Sequence, residues 1–305
     1  MSLDLATYSR QAKYEHIGFA SDIQTDLAEL ADRAQVAHAR NRQYKRTTIF
    51  TWVILFISFM MGLLIPPIFL IVPIAIGELL VLWFLKSKEK RWSIPKERYV
   101  LASGLIQKVT RDMEIEPSLH LFLDGYPTKS KHKKIDTLPD PKRAKWKIDR
   151  YADPWLLLEG QFLDQTEFTL TLNEFYIEKY GWTRNPRGKH KHKRKEKPKG
   201  LSLTLTLRFQ RKKYGAVTVL GDSLQAAIKL PNNMVKVKRL KMNDRTLTLT
   251  LKVPHHGLMD NAPNPPYGLI KQSSVEWLEQ LITQMFLSLY HVLNLAQKLS
   301  KVTSS

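Results

Sequence analysis

The chain has 305 residues, no cysteine and a net charge of +20, with 43% hydrophobic and 25% charged residues. That composition excludes a disordered chain, which lacks the apolar surface to fold, and the absence of cysteine excludes disulfides, thiol nucleophiles and thiolate metal sites. The charge is uneven: segments 40–46, 86–98, 128–150 and 184–200 carry +4, +4, +6 and +8, leaving the remainder near −2, so a near-neutral body bears four basic patches suited to local contact with something anionic.

Residues 1–46 form an N-terminal amphipathic helical segment. Ser21 and Gln24 stand at capping-box spacing, and apolar residues recur at Ile23, Leu27, Leu30, Ala34 and Ala37, the period of one helix face. That face is rich in alanine, which suits close docking on another helix.

Residues 47–85 follow with Glu78 as their only charge. A bilayer crossing takes roughly 20 residues, so this run predicts a two-leg transmembrane helical hairpin. Pro66-Pro67 marks the break, since proline removes a backbone donor and restricts the residue before it. Basic residues flank both outer ends, which predicts a protein integral to a cell membrane with both termini on the cytoplasmic side. An apex without polar residues leaves a re-entrant hairpin as the alternative. Glu78 is the intramembrane polar residue: either an ion or proton site, or a carboxylate reaching toward Lys86 and Lys88.

Residues 86–116 read as a basic juxtamembrane helical linker, and from 117 the period changes to two. LSLTLTLRF at 201–209, RTLTLTLKV at 245–253 and EFTLTLN at 167–173 alternate leucine or phenylalanine with polar residues, the signature of strands with one buried and one wet face. Further strands are expected at 118–124, 155–163, 174–182, 215–220 and 234–242, the last joined to 245–253 by the turn pair Asn243-Asp244.

After a proline-rich loop at 261–268 the chain ends in a helix over 273–300, with Ser273 and Glu276 as a capping box. Val275, Leu278, Ile282, Met285, Leu289, Val292, Ala296 and Leu299 recur at alternating spacings of three and four, a heptad seam. This helix either closes the sheet or pairs with the N-terminal helix or another subunit, and Ile282, Met285, Leu289 and Val292 are the candidate interaction residues for such a homo-oligomer. The expected fold is therefore α+β and membrane-anchored: a transmembrane hairpin, then residues 117–305 as a cytoplasmic antiparallel sheet or small barrel packed by the C-terminal helix. This order is similar to that of bacterial pleckstrin-like membrane proteins, a likeness of architecture without a shared motif.

No phosphate loop, nucleophile elbow, HExxH helix or dinucleotide fingerprint occurs. His190 and His192 alternate with lysines, whose charge opposes a metal ion; His255-His256 fits a turn; the acid pairs Glu114/Glu116 and Asp136/Asp140 have basic neighbours to pair with. No catalytic residue, metal or cofactor is expected. The chemistry that remains is cationic. RGKHKHKRKEKPKG at 187–200 has no apolar side chain and reads as a solvated, self-repelling loop between strands. Arg184, Arg187, Lys189, Lys191, Lys193, Arg194, Lys195, Lys197 and Lys199, with Lys129, Lys131, Lys133 and Lys134, are the candidate residues for an anionic surface. The partners expected are a membrane and an anionic lipid or acidic membrane-protein partner. The expected function is a non-enzymatic membrane accessory, scaffold or assembly protein. The alternatives are a membrane-tethered nucleic-acid binder, which would prefer aromatics interleaved with the charge, and a transport-related or enzymatic role centred on Glu78.

Overall fold

The computed structural model describes residues 8, 11–63, 65, 67, 70–89, 92, 95–184, 186–215, 220, 228, 230, 235–254 and 272–302. The expected strand at 215–220, the loop at 261–268, His255-His256, Pro66 and the Ser273 cap therefore fall largely or wholly outside the described residues. The chain divides into two compact units, Lys13–Thr25 with Glu97–Ser305 and Ser2–Ala12 with Asp26–Lys96.

The larger unit is built on one antiparallel sheet of eight strands: β1 (Lys13–Phe19), β2 (Ser118–Asp124), β3 (Lys134–Asp140), β4 (Arg143–Gln161), β5 (Glu167–Arg184), β6 (His190–Arg208), β7 (Lys236–Met242) and β8 (Thr246–Val253). The order is β1-β2-β4-β5-β6-β8-β7, with β3 also on β4. β5 takes one edge of β4, so β2 (on 156–160) and β3 (on 143–151) lie end to end along the other. The sheet thus has a broad half around the TLTL strands and a narrower half made of β3, β4, β5 and the first part of β6.

Alternation decides which face of the broad half is dry. Leu201, Leu203, Leu205 and Leu207 of β6 and Leu247, Leu249 and Leu251 of β8 are wholly buried. The threonines between them meet in hydroxyl pairs on the other face, Thr204 with Thr250 at 3.3 Å and Thr206 with Thr248 at 3.1 Å. Asn243–Arg245 turns β7 into β8 as expected, closed by the Asn243 amide donating to the Thr246 carbonyl at 2.8 Å.

A short helix α4 (Arg211–Tyr214) follows β6, and helix α5 (Gln272–Val302) covers the leucine face. Val275, Leu278, Ile282, Met285, Leu289, Val292 and Ala296 are all buried, together with Leu281 and Leu293. Phe286 meets Phe162 and Phe168 edge to face at 5.8 and 5.6 Å between ring centres. Helix α3 (Lys96–Val109) buries Leu101, Ala102, Leu105 and Ile106, and its Lys108 reaches Glu279 of α5 at 2.9 Å. The heptad seam is therefore used inside the chain as core through Ala296, while Leu299 at its end is exposed.

The smaller unit corrects the membrane expectation. The N-terminal amphipathic helix and the first apolar leg are one helix, α1 (Ala20–Gly62), and the second leg is α2 (Ile71–Glu89). Among the described residues no helix is long and apolar enough to cross a membrane. The charge-free stretch of α1 runs only from Thr47 to Gly62, and Glu78 divides that of α2 into 71–77 and 79–85; each falls short of the roughly 20 residues a crossing needs. The transmembrane hairpin, the integral-membrane localisation and the orientation argued from its basic flanks are not supported. Within this unit Arg40 of α1 pairs with Glu89 of α2 at 3.2 Å, and small or modest residues are buried (Thr51, Ser58, Ala75, Leu82), while Phe50, Phe56, Ile74 and Trp83 are exposed. Glu78 is exposed and has no polar partner among the described residues.

If α5 is core, Ile282→Ala and Leu289→Ala should each lower the unfolding free energy by about 2–5 kcal/mol, read from denaturant melts of the full chain. The exposed Leu287→Ala should change it by no more than about 0.5 kcal/mol.

Candidate anion-binding face

Most of the segment read as a solvated loop, residues 190–200, is strand. β5 and β6 pair without a break from Glu167↔Arg208 to Arg184↔His190 except at one point: Phe175 pairs with Gly200 and Tyr176 with Pro198, so Lys199 is skipped. On the other side of β5, Trp155 of β4 is skipped at nearly the same level, between Pro154↔Asn173 and Leu156↔Leu172. These are β-bulges, and each shifts its strand by one residue against the period of two. Gly200 permits the turn of the chain there: its φ is +111°, and a Cβ would fall 2.1 Å from the Val253 carbonyl oxygen.

The bulge at Lys199 decides where the charge points. Leu201 to Leu207 are odd-numbered and face the core. Lys191, Lys193, Lys195 and Lys197 are odd-numbered too, but the slip places them on the opposite face, that of Thr204 and Thr206. Two-residue steps separate neighbours by roughly 6.5–7 Å, so the four lysines form a straight row. Inward of that row, on the same face, Lys179 pairs with Asp140 at 3.2 Å and Arg150 with Asp136. The β6 lysines are exposed and form no ion pair among the described residues, and no described strand pairs beyond them.

The other face of the narrow half is nearly self-neutralised. Arg194 pairs with Glu178 at 3.0 Å, Lys134 with Asp149 at 2.8 Å, and Lys129 with Glu196. Tyr176 also donates to Glu196 at 2.6 Å, and burial first, then this bond, raises its phenol pKa well above the ordinary value. Trp182 is exposed here, edge-on to His192 at 5.4 Å. Arg184 donates to the Gly188 carbonyl at 3.2 Å, and Arg187, Lys189 and Lys199 are exposed around the turn and bulge.

Beyond Arg184, Arg187, Lys189 and Lys199 at the turn and bulge, the expected cations separate by place. Lys191, Lys193, Lys195 and Lys197 share one face. Arg194, Lys129 and Lys134 are paired on or beside the opposite face. Lys133 is buried: its ammonium is 2.6 Å from Asp153, 3.2 Å from Asp124, and donates to the Tyr126 carbonyl at 2.7 Å. Lys131, two residues earlier, is exposed. The four members of the α5 seam lie in the core, away from any surface.

Lys133 belongs to a charge cluster with no sequence motif. Arg98 of α3 lies 4.8 Å over the Trp155 ring, reaches Asp153 at 2.8 Å and Glu174 at 3.2 Å, and donates to the Asp124 carbonyl at 2.9 Å. Thr128 also donates to Asp153. Two cations thus face three carboxyls. Burial pushes the Glu174 pKa above the ordinary carboxylate range against the pull of Arg98, and its Oε1 has no hydrogen-bond partner among the described residues. No local signal marks it: Arg98 follows Lys96-Glu97 and Lys133 lies in a basic run, and the carboxylates come from three different strands.

Among the described residues no group of three or more histidines, cysteines or carboxylates could hold a metal ion. No protein-family model, curated protein sequence or solved structure matches this chain.

Removing one partner from a buried ionic cluster leaves uncompensated charge, so Lys133→Met should cost about 3–5 kcal/mol, while Lys131→Met should stay within about 0.5 kcal/mol. Both are read by denaturant melts. Because the folded-state pKa of Glu174 is raised, its contribution is present at acid pH and is lost as pH rises above the ordinary carboxylate range. Glu174→Gln should flatten that part of the stability profile.

Proposed function

We propose that the protein is a non-enzymatic accessory or scaffold protein that docks an extended anionic surface onto the lysine face of β6. The observation that carries this reading is the row Lys191, Lys193, Lys195 and Lys197, exposed and without carboxylate partners, beside inner cations that have them. Cations left unpaired at regular spacing on a rigid strand are placed for a partner outside the chain, where each contributes up to about 1 kcal/mol near an anionic surface.

The shape favours a flat partner. A two-stranded ribbon can enter a nucleic-acid groove, but here β4 and β3 broaden the arm behind β5 and β6. Stacking on single-stranded bases needs exposed aromatics beside the charge. Trp182 lies on the opposite face, and Trp146, on the lysine face, is buried over Gly181 with Arg143 4.5 Å above its ring. This reading requires no membrane-crossing segment.

The test uses the full chain with vesicles of anionic lipid as a flat probe, neutral vesicles as control, and polyglutamate and a single-stranded oligonucleotide as competitors. Binding to anionic vesicles should weaken with salt, screened over roughly 8 Å at physiological ionic strength. It should fall at least tenfold when Lys191, Lys193, Lys195 and Lys197 become Gln, and far less when Lys131, Arg184, Arg187 and Arg194 do. Equal losses from the two sets would reduce the effect to net charge and overturn the facial reading. Tighter binding to the oligonucleotide than to vesicles or polyglutamate would favour nucleic acid.

A further inference from the structure

The opposite end of β6 carries a second cationic feature of different shape. A cleft of about 340 Å³ lies where the end of β6 meets the β4–β5 turn and the β7–β8 turn. That size falls in the range of small-molecule sites. Four cations line it, Arg208, Arg211, Lys212 and Arg245, against one carboxylate, Glu167. Arg208 is 3.6 Å from Glu167 and Arg211 is 3.4 Å from Asp244, and in both pairs more than half of each side chain is exposed. Such pairs hold weakly and can be exchanged for a better anion. The Arg245 guanidinium and the Lys212 ammonium make no ion pair among the described residues.

The floor of the cleft is tied by hydrogen bonds, and part of it is strained. Gln165 has a φ of +66°, the left-handed region that a side chain with a Cβ enters at a cost. Its side-chain oxygen accepts from Gln210 at 2.6 Å and its carbonyl from Gln161 at 3.4 Å. The neighbouring Asp164 fixes the turn by accepting from the Thr166 amide and hydroxyl, both at 2.9 Å, and from the Tyr214 hydroxyl. A strained residue held by a clamped turn keeps its place before any ligand arrives, so binding has little ordering to offset.

We propose that this cleft is a binding site for the phosphate group of a small phosphorylated molecule, with Arg245 and Lys212 as its free cations and Arg208 recruited from Glu167. The excess of positive charge matches a dianion better than a single carboxylate, and the planar arginine fork matches phosphate oxygens in pairs. The side-chain amides of the floor supply further donors for the rest of the molecule.

Calorimetric titration of the full chain with inorganic phosphate and with glycerol phosphate tests this. Saturable binding of one equivalent is expected, weakened at least tenfold by Arg245→Gln and again by adding Lys212→Gln, with the melting temperature unchanged because both residues are exposed. Replacing Lys191, Lys193, Lys195 and Lys197 by Gln should leave it unaltered, which keeps this site distinct from the lysine face. Absence of saturable binding, or affinity that survives Arg245→Gln and Lys212→Gln but falls with the four lysines, would overturn the proposal.

Discussion

Side chains along a strand alternate with a period of two, so a slip of one residue exchanges the faces of everything beyond it. This molecule uses that constraint at one level of its sheet, where β4 skips Trp155 and β6 skips Lys199 on either side of an unbroken β5. Without the slip in β6, the odd-numbered lysines would continue the face of the odd-numbered leucines and lie on the side that carries the helices. With it, one strand sends four leucines into the core and four lysines to the opposite surface. The slip in β4 has the matching effect: Leu156 and Leu158 face the core above it, and Asp149, Tyr151 and Asp153 continue that face below it.

The charge cluster sits at that same level. Asp153 and Glu174 are paired neighbours on β4 and β5, Arg98 comes down from α3 over Trp155, and Lys133 comes in from the chain preceding β3. A buried ionic group contributes little net stability, since desolvation consumes most of the attraction. Its effect is positional: where apolar packing ends and the narrow half begins, it ties the helix layer and the segment before β3 to one point on the sheet. It also removes Lys133 from any role at the surface, although a basic run in sequence makes it look equivalent to its neighbours.

The helical pair follows another rule. Along their apolar stretches Thr51, Ser58 and Ala75 are buried together with Leu82, while the bulky aromatic residues Phe50, Phe56 and Trp83 are exposed. Small side chains let two backbones approach closely, and the polar hydroxyls remain satisfied along the helix, as where Thr51 donates to the Thr47 carbonyl at 3.0 Å. Hydropathy alone suggested two crossings, but charge placement limits each apolar run once the helix limits are drawn.

Periodicity by itself determined much of the larger unit. The Leu/Thr strands, the Asn243-Asp244 turn, β2 at 118–124 and the seam of α5 were legible because burial on one face imposes a pattern that needs no partner to be seen. Tertiary structure alone decided the rest. β1, β3 and the outer halves of β4 and β6 carry charge where a half-buried strand should carry apolar residues, so their strand character comes from backbone pairing with neighbours distant in sequence. Which cations are free, paired or buried depends on carboxylates supplied by other strands, and no local reading locates those. The orientation of the lysines rests on a single unpaired residue, Lys199: alternation in the sequence runs unbroken through it, and only the hydrogen-bond register with β5 reveals the change of face.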